Sequence, residues 1–154
     1  MRILFLGDIV GPSGCKAVKK YLPEIIIKEN LDFVVANGEN AADNGAGITE
    51  KISNELYNCG INVITTGNHV WDQKETVEYI EKEKKLLRPH NLITPTPGKG
   101  FEIFSTKNNF KVGVLNLMGN VFMKKCDDVF ETSKKFLSEY KLKDDYDLLV
   151  VDFH

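Results

Sequence analysis

Short apolar segments alternate with amphipathic segments along the 154-residue chain, and this alternation predicts a mixed α/β fold. We predict buried strands that end in loops over residues 2–8, 31–40, 61–69 and 147–154, with a β-hairpin over 101–106 and 110–119. We predict helices over residues 14–30, 49–60, 74–85 and 127–143. Alternation of this kind is typical of a largely parallel sheet covered by helices, and we expect one domain.

The composition excludes several classes of protein. Hydrophobic residues make up 42% of the chain and charged residues 27%, which is typical of a folded globular protein rather than a disordered one. A net charge of -2 gives no basic patch for nucleic acid. No apolar run reaches the roughly 20 residues that a membrane span needs, and the three scattered cysteines indicate reduced thiols. We therefore expect a cytoplasmic protein.

Polar side chains follow each predicted strand at the point where the strand ends. The carboxyl ends of parallel strands meet at one edge of a sheet, and that edge carries the ligand in open α/β folds. We therefore expect the side chains after the strands to converge, although they are distant in the sequence. They are Asp8, Glu39, Asn40, Asn68, His69 and His154.

This set of residue types points to metal chemistry. Oxygen atoms from Asp, Glu and Asn together with a histidine nitrogen suit Mn²⁺, Fe or Zn²⁺, and Mg²⁺ is an alternative. A carboxylate can bridge two ions about 3.5–4 Å apart, and such a pair activates water for attack on a phosphoryl group. Gly7, Gly38 and Gly67 each lie beside a candidate ligand, where the absence of Cβ allows the backbone to approach an ion closely.

Seven short motifs, in this order along the whole chain, carry a resemblance to a known family. They are GDIVG (7–11), NGENAA (37–42), TTGNHVWD (65–72), RPHN (88–91), TPGKG (96–100), LNLMG (115–119) and DFH (152–154). Together they resemble the YmdB-like family of bacterial metallophosphoesterases. The resemblance implies a calcineurin-like phosphoesterase fold, which is a four-layer α/β/β/α sandwich. It also implies phosphodiesterase action on 2′,3′-cyclic nucleotides with two metal ions, iron or manganese.

The resemblance also implies a role for each candidate residue. Asp8 and Asn40 would hold the first metal, and Asn68 and His154 the second. Glu39 would bridge the two ions. His69 would stand beside the phosphate as an acid to the leaving oxygen or as a hydrogen-bond donor in the transition state. His90, within RPHN, is interpreted as a loop residue without a catalytic role.

The sequence departs from the family in one respect. Family members continue for about a hundred further residues, with a GTHTH-type motif that supplies one more histidine to each metal. We therefore expect about the first half of the sandwich, weak metal binding, and either self-association or a complementing C-terminal segment. A folded fragment or binding module without catalytic activity is the alternative to an enzyme. A nucleotide-binding domain without hydrolysis is a third hypothesis, which the absence of a G-x-G-x-x-G motif after the first strand disfavours.

Overall fold

The computed structural model describes residues 1–93, 95–123 and 125–154, and the strands form two sheets. The strands are β1 (Ile3–Leu6), β2 (Phe33–Asn37), β3 (Val63–Thr65), β4 (Leu86–Leu87), β5 (Phe101–Ser105), β6 (Lys111–Leu117) and β7 (Leu148–Phe153). The helices are α1 (Gly11–Glu29), α2 (Glu50–Asn58), α3 (Thr76–Lys82) and α4 (Val129–Glu139). The predicted α/β class is confirmed.

The first sheet has the order β1-β2-β3-β4 and is entirely parallel. The second sheet has the order β5-β6-β7, in which β5 and β6 form the predicted antiparallel hairpin and β7 runs parallel to β6. The first sheet confirms the largely parallel sheet that the strand pattern predicted, but that pattern did not predict that β5, β6 and β7 form a second sheet. Periodicity identifies strands, but it does not specify which strands pair.

Apolar side chains from both sheets meet in one buried cluster. Phe33, Val35 and Val63 of the first sheet pack with Val112 and Val114 of the second. Every residue of β2 is buried, which is typical of a parallel strand covered on both faces. This cluster fixes the position of one sheet against the other, and with it the relative position of their strand ends.

Helices cover the remaining faces. Leu22 of α1, Leu56 of α2 and Ile80 of α3 join a second cluster with residues of β2 and β3. Phe136 of α4 packs with Leu115 of β6 in a third cluster. The amphipathic patterns predicted from sequence therefore bury their apolar sides as expected.

Helix α2 lies within the predicted range of residues 49–60. Thr49 is the N-cap, and its hydroxyl accepts a hydrogen bond of 3.2 Å from the Ile52 N–H. Gly60, just after the helix, has a φ of +113°, a conformation that favours glycine. Helix α1 begins earlier than predicted, at Gly11, and continues through Pro23.

The two-residue strand β4 was not predicted, because a segment this short carries no periodic pattern. The preceding helix α3 ends at Lys82, and the chain is already extended at Glu83. Residues 83–85, which the sequence pattern assigned to the helix, therefore lead into the strand. Both residues of β4 are buried.

Strands β1 and β7 lie at one edge of their respective sheets in the described part of the chain. Phe5 on β1 is 41% exposed, and Val151 and Phe153 on β7 are 45% and 60% exposed. Unpaired strand edges with apolar side chains are surfaces on which another polypeptide segment can pack. In residues 1–93, 95–123 and 125–154, no helix has both the length and the apolar character required to cross a membrane.

Candidate functional site

The predicted site residues come from two sheets rather than from one edge of a single sheet. Asp8 follows β1, Glu39 and Asn40 follow β2, and Asn68 follows β3, whereas His154 follows β7 of the second sheet. The packing of the two sheets brings these strand ends together. Three hydrogen bonds and the ion-pair contact between His154 and Glu39 then connect all five side chains in one continuous group.

Glu39 lies at the centre of this group and is only 2% exposed. Its Oε1 lies 3.1 Å from His154 Nε2 and accepts a hydrogen bond of 3.3 Å from Asn40 Nδ2. Its Oε2 accepts the backbone N–H of His69 at 3.4 Å. Burial raises the pKa of Glu39, and the neighbouring charge of His154 opposes that shift. A buried carboxylate in this position favours a cationic partner.

Two pairs of side chains flank Glu39. On one side, Asn40 Nδ2 donates a hydrogen bond of 2.8 Å to Asp8 Oδ2. On the other, Asn68 Oδ1 lies 2.9 Å from His154 Nε2. The pairs are the same as the two sets of metal ligands that the family resemblance implies. Carboxylate and amide oxygens together with an imidazole nitrogen suit Mn²⁺, Fe, Zn²⁺ or Mg²⁺. In this structure the Asn40 amide presents Nδ2, not its oxygen, to Asp8 and Glu39.

A metal site at this position requires the side-chain amides of Asn40 and Asn68 as ligands. Across the described residues, no group of three or more His, Cys, Asp or Glu side chains is placed to hold a metal ion. The candidate set has three residues of these types, namely Asp8, Glu39 and His154. Asn40 and Asn68 complete it, so the fit to two ions depends on both amide oxygens.

Gly67 permits the close approach of the loops at this site. A Cβ at Gly67 would lie 2.0 Å from Glu39 Oε2 and 2.5 Å from His154 Cδ2, so no larger residue fits without displacing them. A Cβ at Gly7 would meet no atom within 4 Å, because that loop borders open space. The close approach of an ion or phosphate to Gly7 stays a prediction.

Backbone hydrogen bonds hold the loops with the candidate site residues in place. The Ile9 N–H donates to Asn37 O at 2.9 Å, and the Gly11 N–H donates to Asn40 O at 2.8 Å, which joins the loops after β1 and β2. The His154 N–H donates to Leu117 O at 2.8 Å. The positions of Asp8 and His154 are thus set by neighbouring strands.

His69 is bound at its backbone to the central glutamate and at its ring to another residue. Its Nδ1 lies 2.6 Å from Asp72 Oδ2, and its side chain is 39% exposed. Sequence reasoning included Asp72 in the TTGNHVWD motif but gave it no role. The three-residue spacing between His69 and Asp72 was the available signal.

A buried polar network, also without a role in the sequence prediction, lies between the sheets. Asp152 on β7 accepts hydrogen bonds from Asn37 Nδ2 on β2, at 2.8 Å, and from Thr65 Oγ1 on β3, at 2.5 Å. All three residues are buried. Asp152 precedes His154 by two residues, so the network ties the end of β7 to the sheet that carries Glu39.

His90 lies in the loop after β4, as predicted. Its backbone N–H donates to Asn116 O at 2.8 Å, and its ring packs edge-on against Phe136 of α4, with the centroids 6.0 Å apart. Burial lowers the pKa of His90, and the charge of Arg88 adds to the effect.

Comparison with known proteins gives consistent matches over the full chain. The family model described as YmdB-like protein matches residues 4–154. A 2′,3′-cyclic-nucleotide 2′-phosphodiesterase of Bacillus subtilis (strain 168) is 41% identical over 154 residues, which is 100% of this chain and 57% of that protein. The chain therefore spans a little over half the length of this curated relative.

Two solved structures have the same fold over this length. A hypothetical protein from Thermus thermophilus matches with a TM-score of 0.89 and 35% identity, over 100% of this chain and 57% of its own. A novel phosphatase from Mycoplasma pneumoniae matches with a TM-score of 0.85 and 34% identity, over 97% of this chain and 53% of its own.

Proposed function

Because the chain belongs to the YmdB-like protein family, we propose that it forms the metal-binding part of a phosphodiesterase that hydrolyses phosphate esters. The substrate class that we propose is 2′,3′-cyclic nucleotides, in line with the name of the Bacillus subtilis relative. The observation that carries the proposal is the buried Glu39 between the pairs Asp8–Asn40 and Asn68–His154.

The proposed architecture is the calcineurin-like four-layer α/β/β/α sandwich. It is supported by three apolar clusters: one between helices α1–α3 and the first sheet, one between the two sheets, and one between α4 and the second sheet. In this arrangement the carboxyl ends of β1, β2, β3 and β7 border one site.

In the proposed site, Asp8 and Asn40 would hold one metal ion, Asn68 and His154 would hold the other, and Glu39 would supply a carboxylate to both. We propose iron or manganese, with Mg²⁺ or Zn²⁺ as alternatives. When bound, such a pair of ions activates water and offsets the charge of the phosphoryl group. His69 supplies a hydrogen bond or a proton to the leaving oxygen of the ester.

One observation favours a second candidate function, a metal- or phosphate-binding module without catalysis. The five candidate ligands include two neutral amides, and the described residues hold no cluster of three acidic, histidine or cysteine ligands. Weak metal binding follows from such a set. The exposed apolar residues of β1 and β7 support association with a further polypeptide, either a second copy or a complementing segment. We propose a cytoplasmic location.

Hydrolysis assays distinguish the two functions. We expect protein of full family length, loaded with Mn²⁺ or Fe²⁺, to cleave bis(p-nitrophenyl) phosphate and a 2′,3′-cyclic nucleotide, and we expect Asp8→Asn to remove both activities. The 154-residue chain alone is expected to turn over little. Asp144→Asn is the matched control, because Asp144 is exposed in the segment between α4 and β7. Hydrolysis by Asp8→Asn at the rate of the parent contradicts a metal-centred mechanism. Metal binding without any hydrolysis supports the binding module.

A further inference from the structure

We propose that Asp72 is a positioning residue for His69, with a carboxylate that occupies Nδ1 and leaves Nε2 as the ring nitrogen that meets the phosphate ester. This inference rests on the proposed function, because it assigns the group that orients the histidine of that site. The distance of 2.6 Å between His69 Nδ1 and Asp72 Oδ2 is in the range of a strong hydrogen bond.

Backbone hydrogen bonds in the turn after β3 hold His69 and Asp72 close together. The Asp72 N–H donates to His69 O at 3.0 Å, and the Val70 N–H donates to Gly67 O at 3.3 Å. Val70 is 1% exposed and belongs to the core cluster beneath the turn. The two side chains are therefore held on the same side of a turn that the core anchors.

Stability does not explain the pair. The side chains of His69 and Asp72 are 39% and 31% exposed, and exposed ion pairs contribute little to folding. A pair held this closely at the surface, beside the buried Glu39, is better explained by control of the imidazole.

Glu39 and Asp72 each bind one hydrogen-bonding group of His69. Its backbone N–H binds Glu39 Oε2 at 3.4 Å, which fixes the base of the side chain at the centre of the candidate site. Its Nδ1 is engaged by Asp72. In residues 1–93, 95–123 and 125–154, Nε2 of His69 has no hydrogen-bond partner. The partner of one ring nitrogen determines what the other can do, so Asp72 makes Nε2 the reactive nitrogen.

The first test is spectroscopic and needs neither metal nor substrate. Long-range ¹H–¹⁵N spectra of the labelled 154-residue chain report which nitrogen of each imidazole carries hydrogen, and His69→Gln identifies the His69 signals. We expect hydrogen on Nδ1 of His69 in the parent chain, a changed shift at both nitrogens in Asp72→Ala, and the parent pattern in Asp144→Ala. Unchanged His69 shifts in Asp72→Ala overturn the inference.

The second test is kinetic. We expect Asp72→Ala to lower kcat by about 10–100-fold, the usual effect of removing a group that orients a site histidine, with KM within about twofold. In a His69→Ala background the same change is expected to have no further effect, because the pair acts as a unit. Asp72→Glu, which restores a carboxylate, is expected to recover part of the rate. An equal loss in both backgrounds overturns the inference.

The two tests separate the inference from the proposed function. Absence of any metal-dependent hydrolysis in protein of full family length contradicts the proposed function, while changed His69 shifts in Asp72→Ala still support the pair. Hydrolysis that depends on Asp8 but not on Asp72 supports the function and overturns the role of Asp72.

Discussion

Replacing Asp152 with alanine is expected to destabilise the fold strongly, because Asp152 joins the two sheets. Its carboxylate accepts hydrogen bonds from Asn37 and Thr65 of the first sheet, at 2.8 and 2.5 Å. Residue 152 is distant from both partners in the sequence, so the contacts form only when the two sheets are packed. The substitution removes them without changing the apolar cluster between the sheets.

The expected loss follows from the contacts that remain. A hydrogen bond to a charged group contributes about 1.5–3 kcal/mol. Each donor keeps a longer second acceptor, since Asn37 Nδ2 lies 3.5 Å from Thr66 O and Thr65 Oγ1 lies 3.3 Å from Ala36 O. We therefore assign each of the two hydrogen bonds the lower value of this range, about 1.5 kcal/mol. On this basis we expect Asp152→Ala to reduce the free energy of unfolding by about 3 kcal/mol. Asp152→Asn keeps an oxygen acceptor and is expected to lose about 1 kcal/mol.

Urea unfolding followed by circular dichroism measures these differences. Asp144→Ala serves as the control, because Asp144 is exposed and its removal is expected to change the free energy of unfolding by less than about 0.5 kcal/mol. A value for Asp152→Ala within that same range refutes the reasoning, since it means that Asp152 does not hold the sheets together.

Three further predictions concern single positions. Gly67→Ala is expected to lower the free energy of unfolding by about 1–3 kcal/mol, because its Cβ overlaps Glu39 Oε2. Gly7→Ala places its Cβ in open space and is expected to cost far less in the same urea assay. Thr49→Ala removes the N-cap of α2, and we expect it to lower the free energy of unfolding by about 1 kcal/mol in the urea assay. An unchanged free energy of unfolding contradicts the capping role of Thr49. Burial lowers the pKa of His90, so the unfolded chain binds more protons below pH 6.5. Stability is therefore expected to fall as the pH drops from 7 to 5, and the fall measured for His90→Gln is expected to be smaller; equal slopes contradict this.

The sequence predicted the four helices and six of the seven strands of the described residues, because the periodic patterns of these elements are strong. It predicted the grouping of Asp8, Glu39, Asn40, Asn68 and His154 because each follows a strand, and the structure brings these five side chains together. The reason for the grouping was only partly correct. His154 reaches the group from a second sheet, and strand pairing is decided by tertiary contacts that periodicity does not encode.

The polar residues that support the site were harder to predict. Asp152 lies within an apolar strand, and its partners Asn37 and Thr65 are far away in the sequence. A single polar residue in such a run fits a solvent-facing position equally well, so only the three-dimensional packing reveals its role. The contact of Asp72 with His69 is local, but a three-residue spacing alone does not distinguish a bound pair from two independent surface residues.

Anomalous X-ray scattering from crystals grown with excess Mn²⁺ tests the central claim most directly, because it locates the ions without requiring activity. The account predicts two manganese peaks, one beside Asp8 and Asn40 and the other beside Asn68 and His154, with Glu39 in contact with both. Manganese bound elsewhere, with no peak within coordination distance of Glu39, would contradict the account.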